Sequence, residues 1–282
     1  MPIILQESCR LVSFLIALPF VMVRQGGILS PFLFGIYIDE LSSQLQSKHI
    51  GCRMSNIIVN HLLFADDAVI FAPSAKGLQQ LLDICSEFAA THNVVFNVNK
   101  SQCLIVASKN NVITRPNFPL CGAGLPYADS YKYLGHIISS DLSDNVDIMS
   151  QTRCLYARAN TIIRKFNCAL LNAKLMLFRA YCMPIYGCQL WCSMSQYAYN
   201  NLRVAYNDGF RQLLNEPRWC SASKLFVFNN VLVYAAVTRK LIYSLWCTVF
   251  NSANVLLRGL VNSDLYVQSP LFRRWRVILY KL

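Results

Sequence analysis

Two aspartates stand side by side, Asp66-Asp67, between the apolar runs Ile57-Ile58-Val59-Asn60-His61-Leu62-Leu63-Phe64 and Ala68-Val69-Ile70-Phe71. Carboxylates pressed together repel, so a cation makes the arrangement tolerable. Hard divalent ions such as Mg²⁺ take carboxylate oxygens together with substrate phosphates. Paired ions of that kind can align an attacking 3′-hydroxyl with a leaving pyrophosphate. A plain Asp-Asp turn is the competing reading, and on the dipeptide alone it is the commoner one.

Three other segments could serve the same chemistry. Upstream lies Arg24-Gln25-Gly26-Gly27-Ile28-Leu29-Ser30-Pro31-Phe32. Its two glycines let the backbone approach a ligand closely, and the helix start that follows favours negative charge. Downstream lie Phe96-Asn97-Val98-Asn99-Lys100-Ser101 and Tyr131-Lys132-Tyr133-Leu134-Gly135. Each segment is weak alone: Lys100 reads equally as a solvated turn lysine and Tyr133 as core packing.

The elements that must position these residues are legible in the spacing. Ser30-Pro31 predicts a helix start, with Phe32, Leu33, Ile36, Tyr37, Leu41 and Leu45 at helical spacing. The two apolar runs around the acids predict a β-hairpin with the acids at its tip. Pro73-Ser74 opens a second helix, with Leu78, Leu81, Leu82, Cys85, Phe88 and Ala89 on one face. Val94–Val98 and Cys103–Val106 suggest two further strands, Asn110–Ala128 a loop, and Tyr131–Ile138 a strand pair around Gly135. From about Asp144 onward the pattern is mostly helical. Ile148, Leu155, Ala159, Ile162 and Phe166 mark one helix.

In this order and spacing the segments resemble the reverse transcriptase of LINE-type, non-LTR retrotransposons. RQGGILSPFLF is similar to the family's motif B, FADD to motif C, FNVNKS to motif D and YKYLG to motif E. Met183–Gly187 with Trp191, and Leu202–Asn207 through Pro217–Ala222, resemble the thumb and C-terminal region. Coverage runs from about Val23 to the end. The implied fold is α+β: a partial polymerase palm, an antiparallel sheet with packed helices, followed by a mostly α-helical thumb and C-terminal region. The implied organisation is an atypical segment over 1–22, a partial palm over 23–140 and a basic helical region over 141–282.

The resemblance also implies roles. Asp66 and Asp67 would bind catalytic Mg²⁺ or Mn²⁺, Asp66 the more directly. Arg24, Gln25, Gly26 and Gly27 would meet the incoming nucleotide and template. Lys100 would sit near the leaving pyrophosphate as a candidate proton donor. Tyr133, Leu134 and Gly135 would lie in the primer grip. The partners would be an RNA template, a DNA primer and deoxynucleotides, in an intracellular setting, nuclear or cytoplasmic.

One departure matters. A family polymerase takes a further Asp from motif A, upstream of motif B. The 23 residues before Arg24 hold a single acid, Glu7, and no Phe-x-x-Asp pattern. Two-metal chemistry needs carboxylates from two separate strands. The expectation is therefore a 5′-truncated reverse transcriptase fragment, inactive alone. A palm stripped of an upstream strand should also leave an open sheet edge.

Composition narrows the alternatives. The chain has 282 residues, 55% hydrophobic and 14% charged, which excludes disorder as a description of the whole. Residues 1–150 carry 9 Lys+Arg and 11 Asp+Glu, whereas residues 151–282 carry 17 and 3. Such a basic half is the footprint of a nucleic-acid clamp. The alternative function is a noncatalytic RNA- or DNA-binding remnant acting through that half. The twelve cysteines form no zinc-finger spacing and read as reduced, buried thiols. The apolar run Leu11–Val23 is 13 residues long, against about 20 for a span, so no stable membrane association is expected.

Overall fold

The computed structural model describes residues 13–19, 30–54, 57–106 and 115–280. Strands and helices mix in an α+β arrangement, and the chain divides into two compact units. The first holds residues 1–133, 138–142 and 262–265. The second holds 134–137, 143–261 and 266–282.

The first unit is built on a four-stranded antiparallel sheet. Its strands are β1 (Ser13–Pro19), β4 (His61–Phe64), β5 (Asp67–Ala72) and β6 (Gln102–Val106), in the order β4-β5-β1-β6. Three smaller pairs accompany it: β2 (Cys52–Met54) with β3 (Ile57–Val59), β7 (Pro119–Leu120) with β8 (Ala123–Gly124), and β9 (Ser130–Tyr133) with β10 (His136–Ser139). Two helices, α1 (Ser30–Ser47) and α2 (Ala75–His92), contribute to the core. Leu41 and Leu45 of α1 join Leu78, Leu81, Leu82, Cys85 and Phe88 of α2 against Ala68, Ile70 and Ala72 of β5. Every residue from Ala68 to Ala72 is buried, as expected for an interior strand covered on both faces. Removing the Ile70 side chain as Ala would cost about 2–5 kcal/mol.

Local chemistry sets the boundaries. Ser74 caps α2 by accepting from the Gly77 N–H at 3.1 Å, and Asn93 ends it in the left-handed region at φ 54°. Asn60 breaks the long apolar run into β3 and β4. Its amide donates to the carbonyls of Leu45 and Ile50 at 2.8 and 2.7 Å, tying the end of α1 to the sheet. Those two bonds turn Asn60 Oδ1 toward His61 Nδ1, 2.7 Å away. His61 is therefore the Nδ1–H tautomer, and its Nε2 accepts from the Ser42 hydroxyl at 2.8 Å.

Two expectations are corrected. Val94–Val98 is not a strand. The chain turns into a short 3₁₀ helix, Val98–Lys100, because Asn97 Oδ1 accepts from the Lys100 N–H at 3.2 Å and competes with a ladder. The Asn110–Ala128 segment is not wholly loop, since Pro119–Leu120 pairs with Ala123–Gly124. β1 pairs with β5 on one side and β6 on the other, so β4 and β6 are the edges of this four-stranded sheet.

The second unit is helical: α3 (Asn145–Lys165), α4 (Leu171–Tyr181), α5 (Gln196–Leu213), α6 (Ala222–Phe228), α7 (Tyr234–Phe250), α8 (Val255–Val261), α9 (Asp264–Gln268, shared with the first unit) and α10 (Pro270–Tyr280). Ile148, Leu155, Ala159 and Ile162 are buried on α3 as their spacing predicts, while Phe166 caps the helix end and is exposed. Phe210 and Phe226 stack at 4.3 Å between centroids, with Tyr206 on Phe226 at 5.2 Å. A buried polar knot sits at the start of α3. Asp147 accepts from the Trp191 indole N–H at 2.7 Å and the Ile137 N–H at 3.0 Å, with His136 Nδ1 at 2.9 Å. Asp144 accepts from the Cys192 and Ser193 N–H groups at 2.7 and 2.6 Å.

Cys52, Cys85, Cys103, Cys182 and Cys188 are buried thiols, whereas Cys121, Cys154 and Cys168 are exposed, contrary to the expectation of burial. Burial pushes Cys182 and Cys188 up to about 12, so both are inert as nucleophiles at neutral pH. Among the described residues, no helix is long and apolar enough to cross a membrane.

Candidate active site

The acid pair sits where the sequence puts it. β4 and β5 form a tight hairpin in which Phe64 pairs with Asp67, leaving Ala65 and Asp66 as a two-residue loop. Ala65 has φ 49°, a left-handed conformation that costs a non-glycine residue about 1 kcal/mol or more. The turn therefore stores strain beside the acids. Asp66 is exposed and Asp67, the first residue of β5, is half-buried. Burial raises the Asp67 pKa above the ordinary carboxylate value, and the adjacent Asp66 charge adds to the rise. A bound cation would relieve both.

Tyr131 and Tyr133 of β9 lie within electrostatic reach of this hairpin. Burial raises both phenols, and the Asp67 charge raises them further. Tyr133 was a candidate from sequence; Tyr131 was missed. The signal was present in Tyr131-Lys132-Tyr133, because period-two alternation puts both rings on one face of a strand.

The other candidates fall elsewhere. Lys100 is exposed at the end of the 3₁₀ turn, and none of the ion pairs among the described residues joins it to Asp66 or Asp67. Leu134 and Gly135 form the β9–β10 turn, with φ 47° and 81°, the two positive values of a type I′ hairpin. The Leu134 carbonyl accepts from the Tyr186 hydroxyl at 2.5 Å, and a Cβ on Gly135 would meet the Tyr186 ring at 3.0 Å. Arg24, Gln25, Gly26 and Gly27 lie outside the described residues.

Two carboxylates at one hairpin tip fit one hard divalent ion, with water and phosphate oxygens completing its shell. They do not fit two. Among the described residues no third His, Cys, Asp or Glu joins them in a cluster. The neighbouring strand β1, Ser13-Phe14-Leu15-Ile16-Ala17-Leu18-Pro19, has no acid in its sequence.

Comparison with known proteins finds relatives for part of the chain. Residues 18–138 match the family described as reverse transcriptase (RNA-dependent DNA polymerase). Over 122 residues, 40% of the chain, it is 36% identical to the Retrovirus-related Pol polyprotein from type-2 retrotransposable element R2DM of Drosophila melanogaster. Over 206 residues, 69% of the chain, it is 23% identical to the RNA-directed DNA polymerase from mobile element jockey of the same species. Over 176 residues, 59% of the chain, it is 28% identical to the Retrovirus-related Pol polyprotein from type-1 retrotransposable element R2 of Popillia japonica. The aligned stretches span only 11%, 22% and 24% of those relatives.

Proposed function

We propose, from the match of residues 18–138 to the reverse transcriptase family and the likeness to non-LTR retrotransposon polymerases, that the chain is a polymerase fragment that binds template and primer but does not extend a primer alone. The first unit corresponds to a partial palm, about 23–140, and the basic helices of 141–282 to a thumb and C-terminal region. The observation that carries the reading is the acid hairpin beside an acid-free strand: Asp66 and Asp67 on β4–β5, with β1 next to them.

In this reading Asp66 and Asp67 hold one divalent ion, Mg²⁺ or Mn²⁺, which would supply Lewis-acid polarisation of a phosphate oxygen when bound. Asp66 is the more exposed and meets the ion first. Tyr131 and Tyr133 flank the hairpin and present ring faces and hydroxyls toward a primer end. Leu134 and Gly135 shape the tight turn that follows. Arg24, Gln25, Gly26 and Gly27 meet template and nucleotide, and exposed Lys100 is free to approach the pyrophosphate side as substrate binds. The noncatalytic binding role draws support from the charge of the second half and follows if no nucleotide is ever incorporated.

The test is equilibrium binding of a primed RNA template to the purified full chain across salt concentrations. Each Lys or Arg that neutralises a phosphate steepens the fall of affinity with salt. A steep fall is expected. Binding that ignores salt would count against the reading.

A further inference from the structure

Within the second unit, α7 and α10 pack side by side and leave a groove between them. Two recesses of about 420 and 390 Å³ line it, and Leu279 and Tyr280 belong to both. These are in the size range of small-ligand pockets; Tyr243 and Tyr280 line one, and Trp246, Phe250, Phe272, Trp275 and Tyr280 line the other. Along α7, Tyr243, Trp246 and Phe250 follow one another at helical spacing. The Tyr243 and Trp246 rings are 6.1 Å apart and within 19° of parallel, and Trp246 and Phe250 are 4.7 Å apart. Tyr243 and Tyr280 are more than half exposed, at 57% and 56%. Large rings packed at an ordinary core would not be.

Charge runs along the same groove. Arg239 and Lys240 line one recess and Arg276 the other. Neither α7 nor α10 contains an acid, and after Glu216 the chain has nine Lys and Arg against the single acid Asp264. None of the ion pairs among the described residues draws on Arg239, Lys240 or Arg276. The platform is anchored from below: Trp275 donates its indole N–H to the Gln189 carbonyl at 2.8 Å, and Arg274 donates to the Trp191 carbonyl.

We propose that the α7–α10 groove is a stacking track for single-stranded RNA. Exposed Tyr243, Phe250 and Tyr280 with partly exposed Trp246 between them offer ring faces for bases, and flanking cations follow the phosphates. A duplex hides its base faces and would gain nothing from the rings. The choice of RNA rests on the polymerase-fragment reading above, in which an RNA strand is the template. The track itself does not require the Asp66-Asp67 hairpin, so it is a second and separate contact for the strand.

The test uses the full chain and an unstructured oligo-uridine bearing 4-thiouridine. Crosslinks should fall on peptides of α7 or α10. Tyr243→Leu keeps apolar bulk but removes a ring, and should weaken oligo-uridine binding about tenfold, with unchanged thermal unfolding. Lys240→Gln with Arg276→Gln should flatten the salt dependence by a log–log slope of about 1.4. Crosslinks elsewhere together with indifference to both variants would overturn the track, while steep, salt-dependent binding of primed template would leave the polymerase-fragment reading standing. Preference for oligo-deoxythymidine would overturn the RNA assignment. Preference for vesicles containing phosphatidylserine, lost in the same variants, would make the groove a membrane contact and overturn it as well. Oligo-uridine bound through the track with no binding of primed template would support the track and count against the polymerase-fragment reading alone.

Discussion

Asp67 lies opposite Pro19 in the antiparallel register of β1 with β5. The position across the sheet from the second acid is therefore held by a residue with neither a carboxylate nor an N–H. A two-metal site needs oxygen donors from more than one strand. Here one hairpin supplies donors and its sheet neighbour supplies none, although the sheet is continuous through β1. What the neighbouring strand lacks is chemistry, and the lack of a strand is not the problem.

The repulsion in the hairpin has a measurable consequence. The folded-state pKa of Asp67 is raised by burial and by Asp66. Such a group favours the fold below its unfolded value of 3.8 and opposes it as pH rises through the folded value. Asp67→Asn should therefore raise the melting temperature at pH 7 in metal-free buffer, and the gain should vanish near pH 3. A variant melting lower than the parent at pH 7 would contradict this. Titrating Mn²⁺ should stabilise the parent and leave Asp67→Asn unmoved.

His61 gives a dependence of the opposite kind. Burial lowers its pKa from 6.5, and its Nε2 already accepts from Ser42. The unfolded chain then binds more protons than the folded one as pH falls below 6.5, so stability is lost on acidification. Denaturant midpoints should drop between pH 7 and pH 5. His61→Gln should remove most of that slope, and an unchanged slope would place its origin elsewhere.

Asp147 should be the costliest single polar change in the second unit. Burial pushes its pKa up, but contacts from His136, Trp191 and the Ile137 N–H outweigh burial and hold it below the usual value. Its stabilising effect is present above pH 3.8 and is lost as pH falls further. Asp147→Ala leaves buried donors unpaired and should cost about 3 kcal/mol by urea unfolding. A cost under about 1 kcal/mol would mean that water replaces the carboxylate.

The β9–β10 turn offers a backbone test. Gly135 combines φ 81° with a Cβ approach of 3.0 Å to Tyr186. Gly135→Ala should destabilise by about 1–2 kcal/mol. Tyr186→Phe removes the hydroxyl bond to the Leu134 carbonyl and should cost about 1 kcal/mol. Thermal unfolding of the two single variants checks both, and a neutral Gly135→Ala would show that the ring moves aside freely.

Much of this site could be read from the chain because its signals are local. The apolar runs flanking Asp66-Asp67, the Ser74 cap of α2 and the Gly135 turn each lie within a few residues of what they specify. Val94–Val98 misled because its β-branched residues suggest a strand while the Asn97 side chain ends any ladder. The place of β1 between β5 and β6 was illegible for another reason. Register between strands some fifty to ninety residues apart is fixed by tertiary pairing, which no local pattern records. The alternation of Tyr131 and Tyr133, which puts both rings on one face of β9, is itself a local signal. The ring row of α7 looks like core spacing in sequence, and only the exposure of Tyr243 and Phe250 marks it as a surface.

Primer extension by the purified full chain, on an RNA template with a DNA primer and Mg²⁺ or Mn²⁺, probes the acid-free neighbour of Asp67 most directly. The chain should bind the primed template with steep salt dependence and add no nucleotide. Template-dependent extension that disappears in Asp66→Ala would contradict this and would mean that another carboxylate completes the site.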